Sequence, residues 1–287
     1  MQPDGLDIDH LETVLRKLKD AGQLRRVKLL YLVSYYQNPT AITTSYEKKV
    51  AALELLRRYE ADAGHPIYLL EDAAYRELRF EGQAISSALA ASQHQERIIY
   101  AGTYSKPFAT GTRVGFGILP EPVLSAVLAI KGNHDFGTSN LLQQLLACAL
   151  SSGEYEKQVA RLQKRYARKA RIMGKALKEH FPESIKWEDP QGGLYFWAQL
   201  PRELRTGSES KLFTTALDAK VLYVPGSLCY AEDPTREKPD HEMRISFGSA
   251  NDADLSEGIE RLGGAITRVM KTETAGRAAS KRESVEA

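Results

Sequence analysis

A chain of 287 residues can bury the core of one large or two moderate domains. With 43% hydrophobic and 26% charged residues, and 39 basic against 37 acidic side chains, the net charge of +2 gives no electrostatic reason for a nucleic-acid or anionic-membrane partner. Cys148 and Cys229 exclude a disulfide framework and have no zinc-ligand spacing, so no metal site is expected and both are read as small buried hydrophobes.

No apolar run reaches the ~18 residues of a membrane span. The opening Met1-Gln-Pro-Asp-Gly lacks the charged and apolar regions of a signal peptide, and a cytoplasmic protein is expected. In the first 120 residues, short apolar runs alternate with helical patterns, which predicts βαβ units and a parallel sheet. Leu29–Val33 reads as the first strand. Thr44-x-x-Glu47 reads as a capping box opening a helix with Tyr46, Val50, Leu53 and Leu56 on its apolar stripe, stopped by Gly64. Ile67–Leu70, Arg97–Ala101 and Val114–Leu119 read as the next strands. Helices are predicted over Val123–Ile130, Asn140–Leu150 and about Glu154–Phe181. The last has outward Lys157, Arg161, Lys164, Arg165, Arg168 and Lys169, a solvated face without the interleaved aromatics of a nucleic-acid platform. Strand-like Gly193–Leu200, Val221–Val224 and Met243–Phe247, with helices around Lys211–Ala219 and Leu255–Met270, suggest a smaller α+β domain before a polar tail.

Ligands of open α/β sheets bind at the carboxyl ends of strands. Four polar clusters stand there: Asn38; Asp72 and Tyr75; Thr103, Ser105 and Lys106; and Arg113 just before the fourth strand. Singly, each has an ordinary explanation, such as an Asn-Pro turn or an Asp helix cap. Together they suit a phosphorylated, protonatable aromatic cofactor. A lysine amine forms a Schiff base with an aldehyde. A carboxylate keeps a pyridine nitrogen protonated, and a phenol and a carboxamide can hydrogen-bond a ring oxygen. Hydroxyls with a guanidinium make an oxyanion cup.

At these residues the sequence resembles the class I/II aminotransferases of pyridoxal-phosphate (PLP) fold type I. Tyr36-Gln-Asn-Pro-Thr40 is similar to the family's QNPTG segment and Glu71-Asp-Ala-Ala-Tyr75 to its D-x-x-Y segment. The stretch from Gly102-Thr-Tyr-Ser-Lys106 to Arg113-Val-Gly115 is similar to GTFSK…PGLRxG. Gln191–Trp197, Val224-Pro-Gly-Ser227 and Met243-Arg-Ile-Ser-Phe247 match later segments in the family's order, so the likeness runs from about Gly5 to Met270. Within the family it resembles most the 2-aminoadipate/aromatic branch and the aminotransferase-like domains of MocR-type regulators.

The resemblance implies an α/β fold with a partial PLP-binding large domain, mainly parallel, over residues 1–122. Connecting helices over 123–152, a smaller C-terminal α+β domain over 153–271 and a flexible tail over 272–287 follow. It implies Lys106 as Schiff-base lysine and proton carrier, Asp72 beside the pyridine nitrogen, and Asn38 and Tyr75 at the ring 3-oxygen. Thr103, Ser105 and Arg113 would hold phosphate, and Arg244 the substrate α-carboxylate. Amino-group transfer between an α-amino acid and a 2-oxo acid is the implied reaction, in a homodimer when full length. Other PLP chemistry (β-elimination, decarboxylation) and a non-catalytic aminotransferase-like domain are the alternatives. A Ser105–Lys106 hydrolase is disfavoured, because adjacent residues on a strand point apart. Two departures are Ala41, where the family has Gly, and Ala109-Thr-Gly-Thr112 on the approach to Arg113. The resemblance also implies an N-terminal part of the family domain supplying a helix N-terminus for phosphate, a stacking aromatic ring and dimer contacts. Without it, weak or no cofactor binding is expected of these 287 residues.

Overall fold

The computed structural model describes residues 1–283, with side chains described as far as Thr272; part of the tail expected from 272 onward therefore lies outside the described residues. The chain divides into two compact units. The first comprises Met1–Asn38, Ile42–Lys164 and Gln191–Gly193, and the second Pro39–Ala41, Arg165–Pro190 and the chain from Leu194 on.

The first unit opens with α1 (Ile8–Asp20), a helix not anticipated from the sequence, capped where the Asp7 carboxylate accepts the His10 N–H at 2.9 Å. Leu15 is buried on its inner face, and Ile8, Leu11 and Leu18 pack against the same core. Strand β1 (Leu29–Val33) follows as expected, then α2 (Tyr46–Ala63), β2 (Tyr68–Asp72), β3 (Ile98–Thr103) and β4 (Gly115–Ile118). The sheet order is β1-β2-β3-β4; the first two pairings are parallel, and β4 runs antiparallel to β3. The connection from β3 to β4 contains no crossover helix, and a parallel neighbour would need one.

The capping box expected at Thr44 and Glu47 is replaced by Ser45, whose Oγ accepts the Lys48 N–H at 3.3 Å. Thr44 still belongs to the extended segment beside β1. Its N–H donates to the Ser34 carbonyl at 2.9 Å and its side chain is buried, so the helix starts one residue later. Gly64 closes α2 as expected, in the left-handed region (φ 75°) with its N–H donating to the Glu60 carbonyl. The fully buried face of α2 is Lys49, Ala52, Leu53, Leu55 and Leu56; Tyr46 and Val50 of the expected stripe are only half-buried. This face packs with Leu32, Leu69 and Ile98 of the sheet into the main core.

The period of two along β2 sorts its carboxylates. Glu71 is fully buried with Leu69, whereas Asp72, paired with Val33, takes the opposite face. Helices α3 (Val123–His134) and α4 (Asn140–Ser151) follow, and α5 (Glu154–His180) continues past the boundary after Lys164. α3 buries none of its residues; Leu128 and Ile130 are 58% and 69% exposed. Cys148 on α4 is exposed and Cys229 half-buried, against the expectation that both are buried.

The second unit has an antiparallel sheet of order β5-β7-β6, formed by β5 (Tyr195–Gln199), β6 (Val224–Pro225) and β7 (Glu242–Ser246). The strand expected over Val221–Val224 contracts to the two residues of β6. Helices α6 (Lys211–Asp218) and α7 (Asp252–Glu283) pack on each other, and Phe196, Met243, Phe247, Leu262 and Ile266 are buried. Lys169, expected on the outward basic face of α5, is buried instead, its ammonium donating to the Gly248 and Ala250 carbonyls. The long aliphatic stem lets such a lysine cross an apolar face to reach the carbonyls.

Ala41, standing where the QNPTG segment that it resembles has glycine, adopts φ 61°, a left-handed conformation that an L side chain resists by about 1–2 kcal/mol. Ala41→Gly is therefore expected to raise stability by about 0.5–1 kcal/mol, after the entropy glycine adds to the unfolded chain. A higher urea midpoint at unchanged m-value checks this.

Candidate active site

Three segments at the carboxyl ends of β1, β2 and β3 carry the residues singled out from the sequence, Arg244 excepted. Asp72 is the last residue of β2, its backbone locked by the Ser34 N–H donating to its carbonyl at 3.2 Å. Its Oδ1 accepts the Ala74 N–H at 3.0 Å and its Oδ2 accepts the Tyr31 hydroxyl at 2.6 Å. The chain then turns through Tyr75, whose ring is 7% exposed and whose carbonyl accepts the Leu78 N–H at 2.9 Å. The Lys106 amine lies 5.9 Å from the centroid of that ring.

Beyond Thr103, the end of β3, the Ser105 N–H donates to the Thr103 hydroxyl at 3.0 Å and the Tyr104 N–H to the Val114 carbonyl at 3.0 Å. Ser105 is buried, and the Arg113 guanidinium (Nη1) reaches its hydroxyl at 3.5 Å. Arg113 takes a left-handed φ of 49° at the end of the short turn Thr110–Thr112. Because β4 is antiparallel, its first residues lie at the same end of the sheet as the last of β3, with Thr103 opposite Gly115. Arg113 thus reaches the lysine's end by reversal of the chain. Ser105 and Lys106 sit in the turn after β3, not on the strand. Gly102 is needed where the strands approach: a Cβ there would stand 2.4 Å from the Phe116 ring, which packs on Tyr104 with centroids 5.5 Å apart.

Asn38 lies in the loop after β1, exposed, between a Gln37 N–H that donates to the Ile42 carbonyl at 2.9 Å and the left-handed Ala41. Arg244 stands in the second unit, on β7 opposite Trp197, its guanidinium 4.4 Å over the Tyr195 ring. Of the predicted residues, then, Thr103, Ser105 and Arg113 are linked by hydrogen bonds, and Lys106 faces Tyr75. Asp72 ends the strand next to β3.

Tyr31, not singled out from the sequence, holds Asp72. Desolvation of its hydroxyl, then the Asp72 hydrogen bond and charge, push its pKa up to about 12. Tyr31 and Val33 share a face of β1 and Val33 pairs with Asp72, so the contact is a diagonal one that only the strand register reveals. Arg76 is a second addition, donating to the Tyr100 hydroxyl at 3.3 Å; burial raises the Tyr100 phenol and Arg76 acts against that. Among the described residues, no group of three or more His, Cys, Asp or Glu could hold a metal ion, and no helix is long and apolar enough to cross a membrane.

An amine, a carboxylate and a hydroxyl–guanidinium pair thus stand at one end of a mainly parallel α/β sheet, where ligands of such sheets bind. The sequence profile of aminotransferase class I and II matches residues 2–262, and the chain belongs to that family. It is 32% identical to aromatic-amino-acid aminotransferase 1 of Thermococcus litoralis over 94% of this chain and 61% of that protein. It is 30% identical to the 2-aminoadipate transaminase of Thermus thermophilus over 92% of this chain and 62% of that protein. HTH-type transcriptional regulators are further relatives. The fold matches a Pyrococcus horikoshii kynurenine aminotransferase, solved with PMP, at a TM-score of 0.83 and 30% identity, over 93% of this chain and 62% of that one. The chain thus spans a little over 60% of the length of these aminotransferases and about half of the length of the regulators.

Proposed function

We propose that the chain is the lysine-bearing and C-terminal part of a PLP-dependent aminotransferase that moves an amino group between an α-amino acid and a 2-oxo acid. The observation that carries this is the approach of the Lys106 amine to the buried Tyr75 ring, at the sheet end where Arg113 meets Ser105. The donor set fits the cofactor. Thr103, Ser105 and Arg113 suit a phosphate dianion, Asp72 a protonated ring nitrogen, and Asn38 and Tyr75 the ring 3-oxygen. Bound PLP would supply an aldehyde for the amine and a ring that withdraws electrons from the substrate α-carbon. Lys106 would carry the proton between that α-carbon and the cofactor's C4′, and Arg244 would take the α-carboxylate.

In this reading residues 1–122 are the partial large domain, 123–152 the connecting helices and 153–271 the small domain. A homodimer of the full-length protein belongs to the proposal and is supported by the exposed apolar side chains of α3. The absence of a nucleic-acid partner rests on the nearly balanced charge of +2.

The test is amino-group transfer itself. The full-length protein, with PLP and a nitrogen-labelled aromatic amino acid or 2-aminoadipate, is expected to pass the label to an added 2-oxo acid. Release of ammonia or carbon dioxide without an acceptor would replace transamination by elimination or decarboxylation. No PLP-dependent turnover would favour a non-catalytic domain of the kind that regulators carry.

A further inference from the structure

The Asp72 carboxylate is held by both oxygens: Oδ1 takes the Ala74 N–H at 3.0 Å and Oδ2 the Tyr31 hydroxyl at 2.6 Å. The first contact is an Asx-type bond to the residue two positions on, which the turn after β2 provides by itself. The second comes from a different strand, 41 residues away in sequence. Tyr31 sits on the edge strand with 56% of its surface exposed, so its ring contributes little core packing. Its hydroxyl is the part that is committed.

We infer that Tyr31 is a positioning residue that fixes the orientation of the Asp72 carboxylate for pairing with the ring nitrogen of the cofactor. The inference rests on the PLP reading above and extends it to a residue outside the family motifs. An aspartate terminal torsion is broad and roughly two-fold. Two donors from separate elements reduce it to one setting, and a carboxylate so held loses less freedom when it pairs with a third donor. The tyrosine must keep its proton to donate, and with a pKa of about 12 it does so throughout the neutral and mildly alkaline range. A bare phenylalanine would leave Oδ2 to water and the carboxylate free to turn.

Two measurements on the full chain decide the matter. Without cofactor, the Tyr31 ring carbon, assigned by its loss in Tyr31→Phe, is titrated by NMR. It is expected near 12 in the wild type and closer to the ordinary tyrosine value in Asp72→Asn. A Tyr31 titration unmoved by Asp72→Asn overturns the inference whatever PLP does. With cofactor, Tyr31→Phe is expected to weaken PLP binding about tenfold in the presence of Asp72, and hardly at all in Asp72→Asn, because the effect passes through that carboxylate. Equal losses in the two backgrounds mean a merely structural tyrosine and overturn the inference. Wild-type affinity in Tyr31→Phe overturns the inference and leaves the PLP reading standing. PLP binding that is unchanged by Lys106→Ala sinks the PLP reading, and the inference with it, even where the titration behaves as expected.

Discussion

Lys106→Ala is expected to abolish covalent attachment of PLP at this site and to lower amino-group transfer by at least about 10³-fold. The substitution removes both the covalent anchor and the acid–base group, the latter alone worth about 10²–10⁴. Borohydride reduction of the PLP-treated chain, followed by peptide mass mapping, is the suitable readout because it captures weakly held cofactor as a stable secondary amine. In the wild type, the label should concentrate on the peptide that contains Lys106. The protein has many surface lysines, so scattered labelling is the background against which a built site must stand out. The Lys106 amine faces the buried Tyr75 ring at 5.9 Å, unlike those solvated ones. Labelling spread evenly, with Lys106 no richer than its neighbours, would remove it from the proposed role.

The second large effect is one of stability. Lys49 and Glu71 are both fully buried, with the amine 2.9 Å from Glu71 Oε1. The amine also donates to the Ser86 carbonyl at 2.9 Å and lies 4.0 Å from the Tyr35 ring centroid. The other Glu71 oxygen accepts the Ser87 hydroxyl at 2.5 Å and the Ala88 N–H at 2.9 Å. Burial pushes the Lys49 amine below the ordinary lysine range, and the Glu71 charge and hydrogen bond act against this. Removing one member of such a pair strands the other in the core, so Lys49→Met is expected to cost about 3–5 kcal/mol. Adding Glu71→Gln should recover part of that loss, since glutamine is neutral and its amide oxygen can still accept from Ser87 and Ala88. Full recovery is not expected, because the Ser86 carbonyl remains without its donor. Urea unfolding of the two single variants and the double variant checks the sign of this coupling. A cost of Lys49→Met under about 1 kcal/mol would mean that the pair is not sealed from water.

Much of this arrangement was legible in the sequence. Strands β1 to β3 are short apolar runs, and Gly64 stops α2 where a left-handed C-cap belongs. The polar residues after β1, β2 and β3 are read directly as strand-end residues of an α/β sheet. What escaped was set by spatial neighbours. The direction of β4 follows from a connection too irregular to be a crossover helix, a feature that apolar periodicity does not report. Lys169 and Lys49 look like solvent residues by type, yet each is buried because carbonyls or a carboxylate wait at the end of its stem. Tyr31 could not be joined to Asp72 before the register of two strands was known. α1 carries an ordinary helix signal, with Asp7 as N-cap and Ile8, Leu11, Leu15 and Leu18 at helical spacing.

The reversal between β3 and β4 has a mechanical consequence. The amine and the guanidinium hang from a single loop whose two ends are stitched together by the Tyr104–Val114 bond and by the pairing of Thr103 with Gly115. Both groups therefore hang from one closed loop instead of from two separate ones. In the proposed reading, the partners of an aldehyde and a phosphate on one small rigid molecule share a common carriage.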